Sequence, residues 1–225
     1  MATEKVSILK AFVKKGDIPK VYKSIAPIYD LWGALTETKS RKRCLELADI
    51  HNGEKVLEVA VGTGSTFVEI LQKNPNGMIH GIDLTDEMLS RAKKKAARLD
   101  HKNYSLKLGD AYNLAYPDNT FDVLMNSYMF DILSEKDFPT VLKEFKRVLS
   151  PGGRIVMSNM TKALRWYSSI SELVYRVRPS LLGGCRGVYL LPYLESAGFI
   201  DTKREYISQM TFPKEIIYGV KPKTS

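Results

Sequence analysis

The sequence predicts a doubly wound α/β domain built on a mostly parallel sheet. Three observations carry that expectation. From about residue 54 to residue 160, short β-type runs alternate with helical stretches, the interval expected of βαβ units. Near the end of the chain the alternation stops and two strand-like runs follow one another, which reads as an antiparallel hairpin closing the sheet. Glycines and acids collect where the first three strands should end, the edge at which open α/β sheets bind ligands.

The elements can be justified in order. KVLEVAV (55–61) reads as a buried first strand, broken by Gly62, Thr63 and Gly64. STFVEILQKN has helical spacing and stops at the turn Pro75-Asn76-Gly77. MIHGID (78–83) is a second strand, and TDEMLSRAKKKAARL a second helix. Thr85 is its candidate cap, with Asp86 and Glu87 in the first turn where the helix dipole favours negative charge. YSLKLGD (104–110) is the third strand, NLAYPDNT a loop and FDVLMNSY (121–128) the fourth strand. SEKDFPTVLKEFKRVL (134–149) reads as a helix closed by Ser150, Pro151, Gly152 and Gly153, and GRIVMSNM (153–160) as the fifth strand. VYLLPYLESAG gives a helix ending at Gly198, and FIDTKREYIS and MTFPKEIIYGVKP give the hairpin. Residues 1–53 and 161–187 fall outside the sheet, so the expectation is one domain over 1–225 with a helical cap made by those two segments.

Totals narrow the class. With 225 residues the chain suits one well-filled α/β domain. No apolar run approaches the ~18 residues of a membrane span. The lysine-bearing N-terminus lacks a continuous apolar core, and its spacing (Val6, Leu9, Val13; Ile8, Phe12) suggests a short amphipathic helix, not a secretory signal. Cys44 and Cys185 lie far apart, and His51, His80 and His101 are scattered, so neither a disulfide framework nor a metal site is expected. Both absences fit a cytoplasmic setting. The net charge of +9 admits nucleic acid, anionic membrane or acidic substrates, but Arg91, Lys93, Lys94, Lys95 and Arg98 fall on one helix and read equally as its solvated face.

The chemistry should sit at the strand ends. Glu58-Val59-Ala60-Val61-Gly62-Thr63-Gly64 closes the first strand, and glycines there let the backbone approach a ligand. The turn departs from the usual dinucleotide run, because Ala60 stands at the first glycine and no glycine follows three residues after Gly64. Asp83 ends the second strand about 20 residues on, where an acid accepts hydrogen bonds from ribose hydroxyls. Asp110-Ala111 ends the third, near where an adenine would lie. Any one of these acids could be a solvated turn former. Three strand ends in succession, each with the expected residue type, point to a nucleoside-bearing cofactor.

LEVAVGTGS, GIDLTDEML, GDAYNLAYPDNTFDVL and RVLSPGGRIV resemble the successive motifs of class I S-adenosylmethionine-dependent methyltransferases. The group most similar is that of ubiquinone/menaquinone biosynthesis, matched by SIAPIYDLW, VGTGS, PDNTFD and RVLSPGGR over residues 22–160. The resemblance implies a Rossmann-like, seven-stranded sheet with a reversed C-terminal hairpin and S-adenosylmethionine as cofactor. By position it implies cofactor contacts at Thr63, Asp83, Asp110 with Ala111, and Ser127; with their motif neighbours Glu58, Ala60, Gly62, Gly64, Leu84 and Met88, these form the candidate binding set. The chain differs from the group at Val61, where a second glycine is common, and at Asp131-Ile132, where Arg-Asn is usual.

A sulfonium makes its methyl group a strong electrophile, so such an enzyme mainly positions, an effect that can supply roughly 7–11 kcal/mol. Where the acceptor must lose a proton, the candidates for a base are Asp131, Tyr128, Tyr22 and Tyr29, expected at the cleft rim. Packing fits His80 better than catalysis, and Cys185 reads as a small buried hydrophobe. The cap segment 161–187 carries Lys162, Arg165, Arg176, Arg178 and Arg186 interleaved with Trp166, Tyr167 and Tyr175. It could receive an aromatic, quinol-like or lipid-like acceptor or an RNA base, or its Arg stems could simply cover the sheet edge. No N/DPPY-type or catalytic-cysteine motif is visible. The expectation is therefore methyl transfer to a small apolar or aromatic molecule, without specific nucleic-acid binding and with weak peripheral membrane contact possible. RNA or protein methylation, or cofactor-binding regulation without turnover, is the alternative. The two cap segments are expected to move as a lid, with Trp32, Trp166 and Tyr167 lining the acceptor pocket and Gly183 and Gly184 as hinges.

Overall fold

The computed structural model describes Gly33 and residues 35–161, 185–210 and 212–223. Strands β1 (Lys55–Val59), β2 (Met78–Asp83), β3 (Tyr104–Leu108), β4 (Phe121–Ser127), β5 (Leu149–Met160), β6 (Ile200–Gln209) and β7 (Phe212–Val220) form one sheet in the order β3-β2-β1-β4-β5-β7-β6. The first five pair in parallel, while β7 runs antiparallel to both β5 and β6. The doubly wound sheet and its reversed hairpin are those read from the sequence.

The central strands are apolar on both sides because helices cover both faces. Val56, Val123, Met125, Val156 and Ile216 face α1 (Thr38–Ala48), α2 (Ser65–Lys73) and α3 (Asp86–Ala96). Leu57, Val59, Leu124, Ile155, Met157 and Ile217 face α4 (Phe138–Val148) and α5 (Leu191–Ser196). α1 buries Cys44, Leu45 and Ala48 in this packing. Over residues 38–48, then, the segment expected to be cap is a layer helix of the sheet.

Several boundaries move, each for a local reason. β1 ends two residues early because Ala60 turns into the left-handed region at φ 57°. β4 ends at Ser127 because Tyr128 does the same at φ 55°. Pro139 fixes the start of α4 after a single 3-10 turn, Glu135–Asp137. Leu149 is already extended and pairs with Phe121, so the Ser-Pro-Gly-Gly run lies within β5 behind a register shift. Thr85 does occupy the N-cap of α3 but makes no side-chain cap bond; its hydroxyl turns to Asp83. The N-terminal helix, Lys162, Arg165, Tyr175, Arg176, Arg178, Gly183, Gly184, Tyr22, Tyr29, Trp32, Trp166 and Tyr167 lie outside the described residues.

Candidate cofactor site

β1 and β4 are neighbours in space, but the chain leaves them in opposite directions across the sheet, which opens a crevice at their carboxyl ends. Two adjoining clefts occupy it. The first, about 740 Å³, is largely apolar, with Val59, Leu84, Met88, Ala111, Met129, Ile132 and Leu133 on its walls and the acids Asp83 and Asp110 at its edge. The second, about 540 Å³, is polar and lined by Glu37, Arg41, Glu58, Thr63, Ser65, Thr66 and Ser158. They share one wall made of Ala60, Gly62, Ser127 and Tyr128.

Asp83 organises the turn. Its Oδ2 accepts the Gly62 N–H at 2.8 Å, and its Oδ1 accepts both the N–H and the hydroxyl of Thr85 at 3.0 Å. Burial raises its pKa, and these hydrogen bonds oppose the shift. Glu58 is buried in the polar cleft, and its Oε2 has no hydrogen-bond partner among the described residues. Burial first, and then the negative charge of Asp83, push its carboxyl well above the usual range, while Arg41 pulls it down. A buried carboxyl oxygen left unmatched in a cleft fits a ligand cation or donor. Gly62 adds a second sign of a ligand site. Its φ is +57°, and a Cβ built there would meet nothing within 4 Å. Left-handed backbone at the non-glycine residues Ala60 and Tyr128 falls in the same shared wall.

Every member of the candidate binding set except Gly64 lines one cleft or both. Gly64 instead begins α2, where its Cβ position lies 2.8 Å from Ala92 Cα, so it sets how closely α2 and α3 approach. The site also draws on residues the sequence did not single out. Glu37 and Arg41 arrive from the start of α1, where no motif marked them. Ser158 did carry a signal, being a hydroxyl in the apolar run of β5; it is buried and lines the polar cleft.

Of the candidate bases, Asp131 and Tyr128 are among the described residues, and both are buried. Asp131 has no exposed surface and lines neither cleft; its Oδ2 accepts the Met160 N–H at 2.9 Å. It stands where the chain turns inward after β4, and burial holds its pKa well above the carboxylate range. Tyr128 does reach both clefts, but it is buried with its hydroxyl 2.7 Å from Ser40 Oγ, and its pKa is pushed well up. Arg186, read with the basic and aromatic residues of the cap, is buried and donates to the carbonyls of Asp131 and Leu133 at 2.7 and 2.6 Å. His80 packs edge-on against Tyr116 and Phe121. Cys185 is half-buried. Among the described residues no cluster of His, Cys, Asp or Glu could hold a metal, and no helix is long and apolar enough to cross a membrane.

Comparison with known proteins adds to this geometry. Residues 50–179 match a family described as a methyltransferase domain. A demethylmenaquinone methyltransferase of Listeria monocytogenes is 31% identical over 147 residues, 63% of this chain and 61% of the relative's length. The match therefore spans under two thirds of that relative. Among solved structures, the cyclase SpnF superposes with a TM-score of 0.74 at 19% identity, covering 97% of this chain and 99% of its own. A Haemonchus contortus phosphoethanolamine N-methyltransferase, in complex with phosphomonomethylethanolamine and S-adenosylhomocysteine, gives 0.65 at 16% identity, covering 83% and 53%.

Proposed function

The chain belongs to the methyltransferase-domain family, and from that premise we propose that it binds S-adenosylmethionine across the two clefts and methylates a small apolar or aromatic acceptor. The observation that carries the reading is the pairing of the clefts. One is apolar with an acid at the end of β2, as a nucleoside needs; the other presents the Glu58 carboxyl, which a ligand ammonium would draw into its charged form, and the Arg41 guanidinium, suited to a carboxylate. Their common wall is where the two halves of such a cofactor would join.

The protein's part is binding and orientation. Asp83 and Asp110 accept from the ribose and base, Leu84, Met88 and Ala111 pack the adenine, and Glu58, Thr63 and Ser127 hold the amino-acid end. When bound, the cofactor supplies an electrophilic methyl group. Tyr128 forms the aromatic wall beside it, and an aromatic face stabilises a neighbouring cation by roughly 0.5–2 kcal/mol. Neither Asp131 nor Tyr128 suits a general base. The first lines neither cleft, and the second is held as a neutral phenol. A quinol-type acceptor, whose hydroxyl or ring carbon gives up its proton as the methyl group is transferred, fits a site in which neither of these two groups takes it. The name of the Listeria relative supports a quinone-like acceptor. The SpnF likeness shows that this fold also serves a protein named as a cyclase, so the fold alone does not choose the reaction. We also propose that the α3 cations are incidental and that nucleic acid is not the substrate, since Arg91 is paired with Glu87 and Lys95 with Thr63 and Ser65.

The test is calorimetry with S-adenosylmethionine and S-adenosylhomocysteine. Turnover on a panel of naphthoquinols, phenols, thiols and amines follows, scored by mass spectrometry of the methylated product. Binding with quinol methylation supports the proposal. No cofactor binding, or methylation confined to RNA or protein, sinks it.

A further inference from the structure

The segment that brings Glu37 and Arg41 to the polar cleft is fastened to the reversed hairpin. Lys39 N–H donates to Gln209 Oε1 at 2.9 Å, Gln209 Nε2 donates to the Leu35 carbonyl at 2.6 Å, and Lys214 Nζ donates to the Thr36 carbonyl. One turn further, Arg43 forks onto Glu205 of β6 with two contacts of 2.7 Å. Lys214 differs from the other tethers because it is only 1% exposed. Its ammonium also sits over the Tyr128 ring, 5.5 Å from the centroid. Tyr128 in turn meets Ser40, whose hydroxyl donates to the Glu37 carbonyl at 2.9 Å. One buried cation thus touches the backbone beside Glu37 and the aromatic wall common to both clefts, yet it lines neither cleft.

We infer that Lys214 is a positioning residue for the amino-acid end of the cofactor site, acting through Thr36, Glu37 and Tyr128. The inference rests on the S-adenosylmethionine reading given above. A buried ammonium persists only where donors and charges around it are matched. Among the described residues, the charged and titratable groups facing it are Glu37, Arg41 and Cys44 from the N-terminal segment and α1, and Tyr128 and Asp131 from the β4 exit. On β6, Glu205 is already held by Arg43, and on β5 the paired residue is Met160. Glu37 gains from the arrangement, because Lys214 and Arg41 offset the burial that raises its carboxyl. Loss of the Lys214 charge leaves Glu37 and the Thr36 carbonyl without that partner and frees the Tyr128 ring. The amino-acid cleft would loosen, while the adenosine cleft, built from β2, β3 and the β4 exit, would keep its other walls. Burial brings Lys214 down to about 8. The charged, holding form is therefore full below that pH and is lost as pH rises through it, well before an ordinary lysine titrates.

The experiment uses the full chain as wild type, Lys214→Met and Lys214→Arg. Calorimetry measures S-adenosylhomocysteine and plain adenosine from about pH 6.5 to about pH 8.5. The ligand's own amino group titrates equally in every variant and drops out of the comparison. In wild type, affinity for S-adenosylhomocysteine falls with rising pH and adenosine affinity holds. Lys214→Met weakens S-adenosylhomocysteine about tenfold at neutral pH, leaves adenosine within about twofold, and flattens the pH dependence. Lys214→Arg restores neutral-pH affinity and abolishes the loss near pH 8, because an arginine stays charged. If Lys214→Met does not fold, the wild-type profile against Lys214→Arg carries the test. Unchanged affinity in Lys214→Met, equal weakening of both ligands, or identical pH profiles in wild type and Lys214→Arg overturns the inference while the cofactor reading stands. No binding of either ligand to wild type removes both.

Discussion

Gly62 and Gly64 lie two residues apart in the turn after β1, and they should respond differently to the same added methyl group. A Cβ at Gly62 enters open cleft, so Gly62→Ala meets only the left-handed backbone penalty of about 1–2 kcal/mol. It should lower the melting temperature by roughly 2–8 °C and weaken S-adenosylmethionine more than that figure alone implies. At Gly64, with φ +85°, the new atom strikes the backbone of α3, so Gly64→Ala should melt markedly lower than Gly62→Ala. Thermal melts and calorimetry on the two variants check the pair; equal melting temperatures would contradict the packing role given to Gly64. Asp83→Ala should cost roughly ten- to hundredfold in cofactor affinity, the worth of a hydrogen bond to a charged group. Since burial raises the Asp83 pKa, binding to wild type is complete above that raised value and declines as pH falls through it. Calorimetry at descending pH would show this, and an Asp83→Ala affinity equal to wild type would remove the ribose assignment. These residues were legible because each falls at the end of a successive strand, a coincidence that a lone turn-forming acid or glycine would not produce. Glu37, Arg41 and Lys214 were not, because their meeting depends on a β-hairpin more than 170 residues later in the chain.

At the scale of elements, α1 shows how a helix outside the βαβ rhythm is held. Its C-terminus ends on Asp49 at φ 42°, and Arg154 of β5 reaches across to it. The Arg154 guanidinium donates to the carbonyls of Ala48 and Asp49 and, at 2.8 Å through both terminal nitrogens, to Glu54. Helix-end carbonyls and a paired carboxylate are thus satisfied by one side chain, a favourable place for a cation. Arg154→Met should destabilise the fold by about 1.5–3 kcal/mol in denaturant unfolding at neutral pH. The contact with Arg154 helps hold Glu54 below the usual carboxylate range, so its stabilisation is present above the unfolded-state value and fades as pH falls through the folded one. The gap between wild type and variant should therefore narrow in acid; a constant gap would mean the pair contributes nothing through charge. Sequence periodicity found the strands and the helices between them, but placed residues 38–48 in a cap and gave no sign of this clamp. It also misread Ser-Pro-Gly-Gly as a helix stop, since β4 pairing pulls Leu149 straight into β5.

For the molecule as a whole, the location of the site followed from strand order. A parallel sheet whose crossovers change direction between β1 and β4 has one crevice there, and the motifs cluster at it. What the alternation of apolar runs could not reveal is the burial of Asp131 and Arg186. A chain turning inward after β4 leaves the same residues in the sequence as one turning outward.

The placement of β7 between β5 and β6 has a consequence for synthesis. α1 leaves the ribosome well before the strands that tether it, which lie far along the chain: Lys39 meets Gln209 across 170 positions, and Arg43 meets Glu205 across 162. At about 5–20 residues per second, roughly 10–30 s pass between the appearance of the helix and the strands that secure it. During that interval Cys44, Leu45 and Ala48 have no completed sheet to cover them, and the cofactor crevice lacks one wall. Nascent chains halted at residue 199 should keep α1 open to proteolysis even with S-adenosylmethionine present, and chains extended past residue 220 should protect it. Early protection in the halted chains would show that β1 to β5 already suffice. Otherwise the nascent chain stays a client for chaperones from the emergence of α1 until β6 and β7 are in place, and the polar cleft is complete only then.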